Sequence, residues 1–177
     1  LVERQPLHEG SLCLTMDGRI DNRDELQTAL ESHGATLRSG TDAELVLLAY
    51  QQWGKDCPVH LLGDFAFAIW NSAKQELFCA RDQMGIRPFY YFINDRVFLF
   101  ASELRPLLDH AEVQPELNEG MIGEYLASQI TSQEETLYRQ LFRLPPGHCL
   151  VVSPGRFRMT RYWDFDSSKE LHYENDK

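Results

Sequence analysis

Four cysteines are the residues of this chain best suited to covalent chemistry, because a thiolate is a strong nucleophile. They stand far apart, at Cys13, Cys57, Cys79 and Cys149, and no two of them form a C-x-x-C pair. This spacing in a chain of ordinary size predicts free thiols that pack as small apolar residues in a reducing cytoplasm. We therefore expect a cytoplasmic protein whose cysteines are structural.

A metal site is not indicated either. The histidines are His8, His33, His60, His110, His148 and His172. Their spacing matches no pattern of zinc ligands. The sequence predicts no metal site in this chain.

A charged corner at residues 81–88, RDQMGIRP, interrupts the most apolar part of the chain. Arg81 and Asp82 end an apolar stretch, and Gly85 and Pro88 follow closely. Glycine and proline at such a place predict a fixed bend. We expect Arg81 and Asp82 to form a structural charge pair that anchors this bend.

Composition limits the classes of partner. The chain has 177 residues, 43% of them hydrophobic, and a formal net charge of -10. This length predicts one domain or slightly more, with a sizeable core. The negative charge disfavours nucleic acid and anionic membranes as partners. No apolar run approaches the roughly 20 residues of a membrane span.

The elements that position the charged corner are apolar strands. Residues 65–70 alternate between two faces that are both apolar, which predicts a sheet covered on both sides. Short turns predict two antiparallel hairpins, one joining 65–70 to 76–81 and one joining 89–93 to 97–101. The pattern favours an α+β layered sandwich. A strand at 11–16 is expected to end in a turn at Asp17-Gly18.

Three helices are predicted from their capping residues. Asn22 and Thr41 each precede a Glu by three residues, which predicts a capping box at the start of two helices. Asn118 is expected to cap a further helix. The apolar stripe of that last helix comprises Met121, Ile122, Tyr125 and Leu126.

Eight short sequence motifs occur along the chain in a specific order. They are QPL at 5–7, FAFAIW at 65–70, ARD at 80–82, GI at 85–86, PFYY at 88–91, FASE at 100–103, LPPG at 144–147 and YWD at 162–164. In this order, over nearly the whole chain, they resemble the glutaminase domain of asparagine synthetases. The resemblance implies a class II glutamine amidotransferase domain of the N-terminal-nucleophile hydrolase type. It also implies a four-layer αββα sandwich of antiparallel sheets.

The family's catalytic residue has no counterpart in this chain. In the family, an N-terminal Cys attacks the glutamine amide with its own α-amino group as the base. Here position one is Leu1, and the family's early Arg and His-Arg-Gly-Pro stretch are also missing. We therefore expect residues 1–166 to be an N-terminally incomplete amidotransferase domain without a catalytic residue. Residues 167–177 are expected to be a polar tail or linker toward a synthetase domain.

The family's glutamine-binding positions are only partly matched. Its oxyanion-hole Asn-Gly falls on Asp17 and Gly18, and an ionised Asp has no donor for an oxyanion. Arg19 stands where the family commonly has Glu. Asp42 matches the carboxylate that binds the α-ammonium group of glutamine. The residues alone leave alternatives, namely a plain turn for Asp17-Gly18 and a first-turn helix carboxylate for Asp42.

Two functions follow from the resemblance. The first is the glutaminase domain of an asparagine synthetase-like, ATP-dependent amide ligase. The second is a non-catalytic scaffold, as in β-lactam synthetases and lasso-peptide cyclases, and Asp17 and Arg19 favour it. A separate structural partner without a synthetase domain is a weaker third reading.

The partners and cofactors follow from the same resemblance. Glutamine is the expected small-molecule partner if the domain is competent, with a synthetase domain in cis. ATP and Mg are implied for that synthetase domain and no cofactor for this one. A homodimer could cover a sheet edge that missing strands would leave open.

Overall fold

The computed structural model describes residues 4–168, so most of the predicted polar tail 167–177 lies outside the described residues. The strands are β1 Leu7–Glu9, β2 Leu12–Ile20, β3 Gly63–Asn71, β4 Glu76–Arg81, β5 Tyr90–Ile93, β6 Phe98–Ala101, β7 Leu141–Arg143, β8 His148–Ser153 and β9 Arg156–Arg161. The α-helices are α1 Arg23–Ser32, α2 Asp42–Trp53, α3 Leu104–Leu108 and α4 Glu119–Leu126, and a 3-10 helix spans Gly54–His60.

The strands form two antiparallel sheets. The larger sheet has the order β1-β2-β3-β4-β8-β9, and the smaller has the order β6-β5-β7. Both predicted hairpins are confirmed, since β3 pairs with β4 and β5 pairs with β6, both antiparallel. Within the described chain, no helix combines the length and apolarity needed to cross a membrane.

Strand β3 separates two cores, as its alternation predicts. Phe65, Phe67 and Ile69 are buried in one cluster with residues of α1 and α2. Ala66 and Ala68 lie on the opposite face, in a second cluster with Tyr91 and other residues of the small sheet. Small side chains on this face let the two sheets approach closely.

A third cluster completes the layers behind the small sheet. It comprises Phe92, Leu107, Val113 and Leu141, which join β5 and β7 to α3. The order is therefore helices, large sheet, small sheet and helix. The four-layer αββα arrangement is confirmed.

Helix α2 begins and ends as its sequence predicts. The Thr41 hydroxyl accepts a hydrogen bond from the Glu44 N–H at 3.3 Å, and Gly54 ends the helix with φ of 59°. The Glu44 carboxylate, however, reaches past Thr41 to accept the backbone N–H groups of Arg38, Ser39 and Gly40. The cap therefore also orders the loop before the helix.

The capping box predicted at Asn22 is wrong. Asn22 precedes α1, but its side chain makes no cap hydrogen bond. Its amide instead donates to the His60 carbonyl and accepts from the Leu62 N–H, both at 3.0 Å. The side chain thus fastens the start of α1 to the segment that leads into β3.

The turn predicted at Asp17-Gly18 is also wrong, because β2 runs through both residues. Gly18 has φ of 149°, and a Cβ there would lie 2.2 Å from the Asp64 carbonyl oxygen. Gly63 makes the reciprocal approach, with its Cβ position 2.3 Å from the Arg19 carbonyl oxygen. These glycines allow β2 and β3 to lie unusually close together. An Asp-Gly pair in the sequence cannot show whether its glycine serves a turn or such a close approach.

The helix capped by Asn118 is confirmed, but its apolar stripe is mostly exposed. The Asn118 side chain accepts from the Met121 N–H at 3.3 Å, and Met121 is buried. Tyr125 and Leu126 are 61% and 77% exposed.

Candidate functional site

The Asp82 carboxylate holds the charged corner together. It accepts hydrogen bonds from the backbone N–H groups of Met84, Ile86 and Arg87 at 2.9 to 3.0 Å. Asp82 is only 1% exposed. Such a carboxylate fixes a loop, because each bond to a charged acceptor is stronger than a neutral one.

Arg81 holds the same corner from the other side. Its guanidinium donates to the carbonyl oxygens of Arg87, Leu144 and Gly85 at 2.6 to 2.7 Å. Burial lowers the pKa of Arg81, and the nearby Asp82 charge partly opposes that shift. Arg81 and Asp82 therefore anchor the bend as expected, but through backbone groups and not through a bond to each other.

Asp17 lies on the face of β2 that looks toward the small sheet. Its carboxylate forms an ion pair with Arg87 at 3.4 Å, and the two side chains are 46% and 39% exposed. The Arg87 Nε is buried and has no hydrogen-bond partner among the described residues. At the position predicted for the oxyanion hole, the structure therefore presents a carboxylate that is already paired.

Arg19 lies two residues further along the same face. Its guanidinium is 3.3 Å from the Asp21 carboxylate and 3.3 Å from the Asp64 carboxylate. Its side chain is 62% exposed. An exposed pair of this kind contributes little to stability and is easily rearranged.

Asp42 opens helix α2 and connects it to the end of β2. One carboxylate oxygen accepts the Ile20 backbone N–H at 3.2 Å, and the other contacts the Arg23 guanidinium. Arg23 also donates to the Gly40 carbonyl. The carboxylate predicted to bind an α-ammonium group is thus paired with a cation of its own chain.

The structure brings the predicted site residues to the second half of β2 and the start of α2. Asp17, Gly18 and Arg19 lie in the second half of β2, and Asp42 contacts its last residue. A cavity of about 210 Å³ between the sheets is lined by Asp17, Thr15, Ala66, Ala68, Phe89 and Phe100, among other residues. Neither Arg19 nor Asp42 is among the described residues that line this cavity.

The buried cysteines are poor nucleophiles. Burial raises the pKa of the Cys57, Cys79 and Cys149 thiols, so they stay protonated near neutral pH. Cys13 lies inside β2, with its sulfur 3.8 Å from the His8 Nε2. In residues 4–168 no three His, Cys, Asp or Glu side chains are grouped as a metal site would require.

Three residues of this region were missed by sequence reasoning. Arg23, Arg87 and Asp64 supply the partners of Asp42, Asp17 and Arg19. Arg23 carried one available signal, since it directly follows a predicted helix start. The other two are distant in sequence, and only the strand pairing of the fold brings them near.

Comparison with known sequences gives a consistent assignment. The family model of the glutamine amidotransferase domain matches residues 2–163. Asparagine synthetase (glutamine-hydrolyzing) 3 of Bacillus subtilis strain 168 is 30% identical over 171 residues, which cover 94% of this chain and 28% of that protein. Asparagine synthetase (glutamine-hydrolyzing) 1 of the same strain is 33% identical, with 98% of this chain and 28% of that protein covered. This chain spans less than a third of the length of either relative.

Solved structures agree on the fold. The glutamine phosphoribosylpyrophosphate amidotransferase of B. subtilis matches with a TM-score of 0.60 and 20% identity, over 90% of this chain and 32% of that one. A glutamine aminotransferase class-II domain protein of Silicibacter pomeroyi matches with a TM-score of 0.56 and 15% identity, over 92% of this chain and 72% of that one. These are folds of the N-terminal-nucleophile amidotransferase type. The chain therefore belongs to the glutamine amidotransferase domain family.

Proposed function

We propose that this chain is the amidotransferase-type domain of an asparagine synthetase-like, ATP-dependent amide ligase, and that it acts there as a scaffold that does not hydrolyse glutamine. The observation that carries this proposal is the Asp17 carboxylate, which is paired with Arg87 where the resemblance places a hydrogen-bond donor for an oxyanion. Asp42 supports the proposal, because its carboxylate already contacts the Arg23 guanidinium.

The Arg23 contact disfavours glutamine binding in two ways. An incoming α-ammonium would have to displace the guanidinium, which also donates to the Gly40 carbonyl. If the guanidinium stayed, two positive charges would share one carboxylate, and like charges at such distances repel. The Asp42 side chain is only 18% exposed, so solvent screens this repulsion weakly.

Asp17 disfavours the chemistry of glutamine hydrolysis. An oxyanion needs a donor, and removal of one such donor costs about 3–4 kcal/mol in other enzymes. An Asp at this position supplies no donor. The Arg87 guanidinium is paired with the Asp17 carboxylate and is therefore not available to stabilise an oxyanion.

The remaining parts of the proposal concern the parent enzyme. A synthetase part in cis would bind ATP and Mg and form the amide, and this domain would hold no cofactor. A cytoplasmic setting agrees with the buried, unpaired thiols. Dimerisation through an open sheet edge stays a further proposal.

An active glutaminase domain is the alternative. Its support is the wording "glutamine-hydrolyzing" in the names of the relatives, together with the presence of Gly18 and Asp42. In that case a nucleophile outside residues 1–177 would complete the site, and Arg23 would have to release Asp42 when glutamine binds.

A glutamate-release assay on the complete protein that carries this domain separates the two. We expect no glutamate from glutamine above a buffer blank, and no saturable heat when glutamine is titrated in by calorimetry. Steady glutamate production that Asp42→Asn abolishes would overturn the proposal. Asp24→Asn, an exposed carboxylate in the first turn of α1, is the matched control and should change nothing.

A further inference from the structure

A groove opens between the two sheets at the end of the sandwich opposite Asp17. There the turns that follow β3, β5 and β8 come together, at 71–75, 94–97 and 153–156. The groove has a volume of about 820 Å³. Ligand pockets in proteins typically span about 300–1,000 Å³, so the groove is large enough for a small organic molecule.

The floor of the groove is one row of side chains across the large sheet. Trp70 pairs with Leu77, Leu77 with Val152, and Val152 with Phe157, in successive strands. All four line the groove. Because paired residues of neighbouring strands share a face, this row forms a continuous apolar strip.

The wall of the groove comes from the small sheet. Ile93, Val97 and Phe98 line it from β5, β6 and the turn between them. Trp70 and Phe157 stay 37% and 42% exposed. Exposed aromatic residues that line a concave surface are typical of a binding site.

The mouth of the groove carries positive charge in an acidic chain. Arg156 lines it, and its guanidinium has no ion-pair or hydrogen-bond partner in the part of the chain that is described. Arg96 also lines it and lies 3.7 Å from Glu112, with a side chain that is 79% exposed. Asp95 is the one carboxylate among the residues that line the groove.

We propose that this groove binds a small aromatic carboxylate. The apolar ring would lie on the strip of Trp70, Leu77, Val152 and Phe157, where stacking on aromatic side chains is favourable. The carboxylate would face Arg156, whose planar guanidinium fits a carboxylate with two parallel hydrogen bonds. The groove is separate from the glutamine-site positions, so this inference does not depend on the function proposed above.

Calorimetric titration with 2-naphthoate tests the proposal on the complete protein. We expect saturable binding of 2-naphthoate and binding at least about tenfold weaker for its neutral analogue, 2-naphthalenemethanol. Arg156→Gln should weaken 2-naphthoate binding about tenfold and leave the neutral analogue unchanged. The matched control is Arg158→Gln, on the same strand and exposed but outside the groove, and it should bind as the unmodified protein does.

A second variant tests the floor of the groove. Val152→Trp should fill the strip and abolish binding while the melting temperature shows that the fold is kept. If this variant does not fold, Arg156→Glu tests the mouth instead and should abolish 2-naphthoate binding by repulsion. Equal binding of the two probes, or binding that survives Arg156→Gln and Arg156→Glu, would overturn the proposal. So would a dimer that Val152→Trp dissociates, because the groove would then be a contact between copies of the chain.

Discussion

The charged corner at Arg81-Asp82 and the candidate site around Asp17, Arg19 and Asp42 both carry charge at the ends of apolar strands. In the corner, the side chains of Arg81 and Asp82 bind backbone atoms and lie almost fully buried. In the candidate site, the charged groups bind mainly one another, and several are half exposed. The corner is therefore a fixed part of the fold, whereas the exposed ion pairs of Arg19 can exchange partners.

This comparison indicates which charged residues of the domain stabilise its fold. A buried carboxylate with three backbone donors cannot be replaced without leaving those donors unsatisfied. A surface ion pair contributes at most about 1 kcal/mol and can be exchanged at little cost. A change of charge should thus cost less stability at the exposed ion pairs of the site than in the corner.

The largest expected effect is at the corner itself. Asp82→Ala removes the acceptor of three backbone N–H groups and should lower the free energy of unfolding by about 4 kcal/mol. Urea denaturation measures the change. Asp109→Ala, in an exposed pair with Arg105, is the control and should stay within about 0.5 kcal/mol. A loss of less than 1 kcal/mol for Asp82→Ala would erase the contrast between the two regions.

A substitution in the site's backbone should have the next largest effect. Gly18→Ala places a Cβ against the Asp64 carbonyl of β3 and should cost about 3 kcal/mol, because the two strands must move apart. Gly10→Ala is the matched control, since Gly10 also has positive φ but no atom lies within 4 Å of its Cβ position. We expect about 1 kcal/mol there from backbone strain alone, and thermal unfolding compares the two. Equal losses would mean that strand proximity contributes nothing.

The smallest effect should come from Glu44, which binds backbone groups as Asp82 does but is partly exposed. Burial raises its pKa, but hydrogen bonds from Arg38, Ser39 and Gly40 outweigh this and lower the pKa from its ordinary value of 4.5. A lowered pKa in the folded state contributes stability above pH 4.5 that is lost as pH falls through the folded value. Glu44→Gln should therefore cost less than about 1 kcal/mol at neutral pH and progressively less in acid.

The pH dependence of urea unfolding checks this expectation. Glu25→Gln, at the corresponding turn of α1, is the control and should show a smaller difference at every pH. A Glu44→Gln cost that grows in acid would have the wrong sign.

The sequence predicts those features that depend on neighbouring residues. The two-faced alternation of β3 and the Thr41 cap are local patterns, and both are confirmed. The turn at Asp17-Gly18 and the capping box at Asn22 fail because their residues serve contacts across the fold, with Asp64 and Leu62.

The candidate site was less predictable for the same reason. The resemblance identified positions 17, 19 and 42, but their ion-pair partners depend on tertiary packing. Arg81 is a further example, since one of its acceptors is the carbonyl of Leu144 on a distant loop. Local patterns indicate that Arg81 is structural but cannot identify the groups it binds.

The charged corner also holds Tyr162, the residue that directly follows β9. Tyr162 donates its hydroxyl proton to the Arg81 carbonyl at 2.7 Å, and its backbone N–H donates to the Gly147 carbonyl at 2.9 Å. Gly147 in turn donates to the Asp82 carbonyl. A pulling force applied to residues 164–168 would act on the hydrogen bonds of Tyr162 before it acted on any strand. Under mechanical load, Tyr162 would therefore protect the end of β9 from being pulled out of the sheet.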